Sequence, residues 1–149
     1  MKSKRRYPGM ILLLLAVAAT SLLAGCTDKK AALTGVKSIT VEQQAIEIEG
    51  HKESVTIMPD GLVRKELSVG DDVTADKSTA GPEVFTKLVK LLEENRFTEL
   101  ADDVSTQSKD GAVLTIIVET EDGVYQKGGL NPSDQAFMNC YNGCMELLQ

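Results

Sequence analysis

The chain has 149 residues, room for one domain and a leader, with 16 basic and 22 acidic side chains and a formal charge of −6. The first 25 residues hold four of the basic groups and none of the acidic ones, which leaves 12 against 22, a formal −10, on the 124 residues that follow. Such a body lacks the basic surface that nucleic acid demands and is not drawn to anionic lipid head groups, so neither is an expected partner of the domain itself.

The chain opens with "MKSKRRY", which supplies Lys2, Lys4, Arg5 and Arg6, and continues with "PGMILLLLAVAATSLLAG", 18 residues without a charge. A basic start, an apolar middle and small residues at the end make a secretory leader. Eighteen residues sit at the lower edge of a membrane span, which takes roughly 20. A retained transmembrane helix is therefore one alternative, and cutting by the ordinary signal peptidase is another.

The leader ends in Leu23-Ala24-Gly25-Cys26, which resembles the lipobox of bacterial lipoproteins. The resemblance implies that the Cys26 thiol receives a diacylglycerol and that a dedicated peptidase cuts between Gly25 and Cys26. Cys26 would then begin the mature protein, often N-acylated as well. The chemistry is consistent with the pattern: small side chains let an extended backbone enter a protease groove, and a thiol is a good nucleophile for a thioether. More than one acyl chain is needed because a single chain anchors only marginally. The expected location is the cell membrane or the outer membrane, lipid-anchored at Cys26, with the domain facing outside the cytoplasm. Thr27 stands where an Asp resembles an inner-membrane retention signal, which favours the outer membrane in a two-membrane envelope.

Residues 26–35 read as a polar tether after the lipidated cysteine, and residues 36–149 as a single domain. "KSITVEQQAIEIEG" alternates in part, as one strand or a bent pair, with Ile39 and Val41 sharing a face. "SVTIMPDGLVRKELSV" predicts two strands around a tight turn at Pro59-Asp60-Gly61. "GDDVTADKSTAG" has no apolar periodicity and reads as a loop. "GPEVFTKLVKLLEENRF" is a helix with Pro82 at its first position and a buried stripe of Phe85, Leu88, Val89 and Leu92. "AVLTIIVETEDGVYQKGG" predicts a hairpin turning at Asp122-Gly123. "NPSDQAFMNCYNGCMELL" predicts a closing helix capped by Asn131, with Pro132 first and Phe137, Tyr141, Cys144 and Leu148 on its stripe. The expected fold is α+β, a two-layer sandwich: an antiparallel sheet of four or five strands packed by two helices, in the order strand, strand, strand, helix, hairpin, helix.

Cys140 and Cys144 are an even pair in an exported chain, the setting for a disulfide. On a regular helix, Cβ atoms four residues apart lie about 5–6 Å from each other, whereas a disulfide requires about 3.5–4.5 Å. Two reduced core thiols are the plainer expectation, and a bridge would need Gly143 to loosen the last turn. With His51 the pair would offer three zinc ligands, but no second ligand pair at zinc-site spacing accompanies them, so no metal is expected. His51 sits in the turn-like "EGHKES", and no nucleophile elbow supports a hydrolase built on it. The acids cluster at Asp71, Asp72 and Asp76, at Asp102, Asp103 and Asp110, and at Glu119, Glu121 and Asp122, with no calcium-loop pattern. They read as a solvated rim, and no cofactor is expected.

"GPEVFTKLVKLLEENRFTEL", then "DGAVLTIIVETEDGVYQ" and a closing helix, is similar to small bacterial domains that include emfourin-type protease inhibitors. The order of elements carries that resemblance, across residues 81–149, and no inhibitory residue can be transferred from it. The expected function is a membrane-anchored bacterial lipoprotein with a small, non-catalytic extracytoplasmic domain that binds or assists a protein partner of the cell envelope. The alternatives are a protease-inhibitor-like domain and a subunit of an envelope complex.

Overall fold

The computed structural model describes residues 32–149; the leader with Gly25 and Cys26 lies outside them. The described residues form a mixed α+β fold of six antiparallel strands and two helices. The strands are β1 (Val36–Ala45), β2 (Lys52–Ile57), β3 (Leu62–Val69), β4 (Asp72–Thr79), β5 (Ala112–Thr120) and β6 (Val124–Leu130), and the helices are α1 (Pro82–Glu94) and α2 (Gln135–Leu148). Their order across the sheet is β4-β3-β2-β1-β5-β6, so β1 is central and β4 and β6 are the edges.

The register decides which side chains are dry. Val41 of β1 pairs with Val55 of β2 and with Ile116 of β5, and Ile39 pairs with Ile57 and Val118. Opposite residues share a face, so these aliphatics form one apolar surface. Phe85, Leu88 and Leu92 of α1 and Phe137, Cys140, Tyr141, Cys144 and Leu148 of α2 join them in a single buried cluster. The other face is polar: Lys52 Nζ meets Glu42 Oε1 at 2.7 Å, and the Thr40 and Thr56 hydroxyls lie 2.8 Å apart. Leu33, inside the expected tether, is also buried, and its N–H donates to Glu93 Oε1 at 2.9 Å.

The sheet is larger than the four or five strands expected, because "GDDVTADKSTAG" is not a loop. Gly70-Asp71 makes a two-residue turn, and Asp72–Thr79 pairs with β3 from Val69↔Asp72 to Leu62↔Thr79. All eight residues of β4 are exposed. An edge strand wet on both faces has no reason to alternate, so period-two patterning is silent there.

The N-terminus of α2 also departs from expectation. Asn131 is not the cap: its φ is 43°, its Oδ1 accepts from Ala112 N–H at 3.1 Å, and its Nδ2 donates to the Asp110 carbonyl. Asp134 caps instead, accepting from Phe137 N–H at 2.8 Å, and the helix begins at Gln135. Gly143 does not loosen α2, which is continuous to Leu148. A Cβ at Gly143 would stand 2.6 Å from Leu91 Cδ2, so the glycine admits the side chain of α1.

Candidate functional site

The two sheet edges are finished differently. Beside β6, residues 102–106 run as an extended segment. Val104 N–H donates to Gly128 O at 3.0 Å, Gly128 N–H to Asp102 O at 3.1 Å, and Thr106 N–H to Leu130 O at 2.9 Å. Lys127 secures this cover; it is buried, and its Nζ donates to Leu100 O at 2.7 Å and Asp102 Oδ1 at 2.6 Å. A hollow of about 390 Å³ opens beside Asp102 and Tyr125, but its cation, Lys127, is already engaged.

No described segment pairs with the outer edge of β4. Ala80 N–H donates to Gly61 O at 2.9 Å, just beyond the Leu62↔Thr79 pair. Bonded and non-bonded pairs alternate along an antiparallel ladder. Ser78, Asp76, Thr74 and Asp72 therefore bond inward to β3, and Val73, Ala75, Lys77 and Thr79 turn their N–H and C=O groups outward. Eight residues with no bulge and no proline make a long open edge.

A groove adjoins this edge on the helix-bearing side. It encloses about 450 Å³ between Met145 of α2 and Glu53, Val55, Lys65, Leu67 and Thr74 of three successive strands. A smaller cavity of about 30 Å³ shares Glu53, Val55 and Met145 with it and reaches Val41, Gln43 and Tyr141. The Tyr141 ring packs on Phe137, with centroids 6.2 Å apart, and its buried hydroxyl makes no hydrogen bond among the described residues. Burial raises the Tyr141 pKa above the ordinary phenol value, and the negative charge of Glu53 adds to the rise.

The residues singled out in the sequence are scattered over this frame. Cys140 and Cys144 are free thiols with no exposed surface. Burial, then the charge of Asp134, pushes Cys140 up to about 11; burial, then Cys140, pushes Cys144 up to about 12. Thiols so protonated are poor nucleophiles at neutral pH. His51 is half-buried at the foot of β2, with Nε2 3.3 Å from Glu53 Oε1. Among the described residues, no group of three or more His, Cys, Asp or Glu side chains could hold a metal ion, so His51 does not complete a ligand set with the two thiols.

The acid clusters occupy three separate places. Asp71, Asp72 and Asp76 lie on the β3–β4 turn and on β4, Asp102, Asp103 and Asp110 on the segment along β6 and beyond it, and Glu119, Glu121 and Asp122 at the β5–β6 turn. Asp103 accepts from Ser105 N–H at 2.9 Å, and the Ser105 hydroxyl and backbone together hold its carboxyl below the usual value. Sequence reasoning missed the edge and the groove. The one signal available was the turn pair Gly70-Asp71 followed by the strand-favouring Val73 and Thr74.

No protein-family model matches the chain, and no curated protein matches it. The function must be read from these residues.

Proposed function

We propose that the chain is a bacterial lipoprotein, held at the cell membrane or outer membrane by acyl groups on Cys26, whose extracytoplasmic domain is a non-catalytic module that holds a protein partner. The observation that carries the anchor is Leu23-Ala24-Gly25-Cys26 at the end of a basic, then apolar leader. The observation that favours a holding role is the contrast between the edges, β6 covered by residues 102–106 and β4 left open over its whole length. An open edge offers main-chain donors and acceptors that another chain can satisfy.

On this reading the sheet and both helices form a two-layer sandwich. The helices close one face, and the β4 end of the sheet extends past them.

The test of the anchor is metabolic labelling with an alkyne-bearing fatty acid in a bacterial host. The wild-type chain takes up label and partitions into detergent, whereas Cys26→Ser carries no label and keeps the leader. Equal labelling of the two chains would sink the proposal.

A further inference from the structure

We infer that the partner meets this domain as an extended peptide segment, rich in Lys or Arg alternating with aliphatic residues, that adds to β4 as a seventh strand. The inference rests on the reading of the domain as a holding module and specifies the chemistry of what it holds.

The backbone sets the shape of the occupant. Val73, Ala75, Lys77 and Thr79 turn their amides and carbonyls away from β3, with the spacing of a strand in need of a neighbour. A helix or a compact small molecule cannot satisfy four outward residues spaced along one line; a strand can. A second copy of this chain is disfavoured by charge. The domain carries a large excess of acids, and like charges oppose self-pairing.

The side chains set the charge of the occupant. Residues 46–79, which hold β2, β3 and β4, carry eight acids against four Lys or Arg. Two of those four bases are engaged, Lys52 with Glu42 and Arg64 with Glu66. Asp72 and Asp76 stand on the groove side of β4; Asp76 lies opposite Lys65 in the register, and neither acid closes an ion pair with a described residue. A basic side chain placed opposite Asp76 across the new ladder would gain a cross-strand partner.

On the groove side of β2, β3 and β4, three acids (Glu53, Asp72 and Asp76) outnumber one cation, Lys65, whereas Lys77 is the one charged residue of β4 on the other face, so the preference for basic residues belongs to the groove side. The same end of the sheet leaves large aliphatic surface in water: Val73 is 62% exposed and Val69 47%, with Ile48 and Leu67 also open. Alternating aliphatic residues in the incoming strand would cover part of it.

The experiment uses the full chain in detergent micelles and two blocked hexapeptides, Lys-Val-Thr-Val-Lys-Val and the same peptide with Glu in place of Lys. Binding is read by fluorescence anisotropy, and the site by amide hydrogen exchange. The Lys peptide is expected to protect the amides of Val73, Ala75, Lys77 and Thr79 and to bind at least about threefold to tenfold more tightly than the Glu peptide, the range of one or two cross-strand charge pairs.

Asp76→Lys should shrink that preference. Ala75→Pro should abolish binding while leaving the β3 ladder intact, because the amide it removes points outward. Equal binding of the two peptides, or protection away from β4, overturns the inference, and wild-type exchange decides this even if Ala75→Pro does not fold. An envelope protein held equally well by wild type, Ala75→Pro and Asp76→Lys would also overturn it while leaving the holding module standing. The anchor fails separately, on absence of acyl label at Cys26.

Discussion

Lys127 Nζ lies 2.6 Å from Asp102 Oδ1 and 2.7 Å from the Leu100 carbonyl, at the head of the segment that covers the β6 edge. The pair is lopsided, since the Lys127 side chain is 7% exposed and that of Asp102 89%. Solvent screens the carboxylate, so the part-buried bond from Nζ to the Leu100 carbonyl matters more. Asp102→Asn should cost little, and Lys127→Met should cost about 1–2 kcal/mol and speed amide exchange at Val104 and Thr106. Urea melts of both variants with residue-resolved exchange check this; equal losses would contradict it.

The two core thiols tie stability to alkaline pH. Their folded values, about 11 for Cys140 and about 12 for Cys144, lie above the ordinary 9.0. The unfolded chain gives up these protons first, so the native state binds more of them between pH 9 and 12. Stability should hold below about pH 9 and fall as pH climbs toward 12. Tyr141 slopes the same way, since its pKa is also raised. Chemical melts from pH 7 to 11 should show the fall, and Cys140→Ala with Cys144→Ala should flatten it relative to wild type. A thiol reagent at pH 8 should label neither cysteine in the folded chain and both after denaturation.

Tyr141 offers a substitution that should not harm the protein. Its buried hydroxyl has no partner among the described residues, and a buried unpaired group costs about 1–3 kcal/mol. Tyr141→Phe keeps the stacking on Phe137 and should leave stability unchanged or raise it by about 1 kcal/mol. A loss of that size in thermal or urea melts would show that the hydroxyl is engaged.

The capping of α2 predicts a contrast between neighbours. Asp134→Ala removes the acceptor for Phe137 N–H and should cost about 1 kcal/mol with local fraying of the helix. Asn131→Ala should act elsewhere, since Asn131 ties the start of β5 to the Asp110 carbonyl and holds a φ of 43°. Its effect should appear in exchange at Ala112 rather than in α2. Far-ultraviolet circular dichroism with site-resolved exchange separates the two.

What the sequence made legible follows from where water reaches. Helix α1 has one wet side and one dry stripe, and Phe85, Leu88 and Leu92 are buried as the spacing requires. The β5–β6 hairpin was readable for the same reason, with Ile116 and Val118 dry. Strand β4 was not, since all eight of its residues are exposed among the described residues and its sequence records only turn chemistry and charge. Asn131-Pro132 imitated a helix start, and only the tertiary contact to Ala112 shows that Asn131 serves the sheet. The groove could not be read at all, because it joins Met145 of α2 to three strands some eighty residues earlier.

The measurement closest to the central claim is photo-crosslinking in intact cells, with a photoreactive residue placed at Ala75 on β4 or, as control, at exposed Lys87 on α1. A domain that holds an envelope partner along its open edge should give one discrete adduct from position 75 and none from position 87. No adduct from position 75, or the same products from both, would contradict the account.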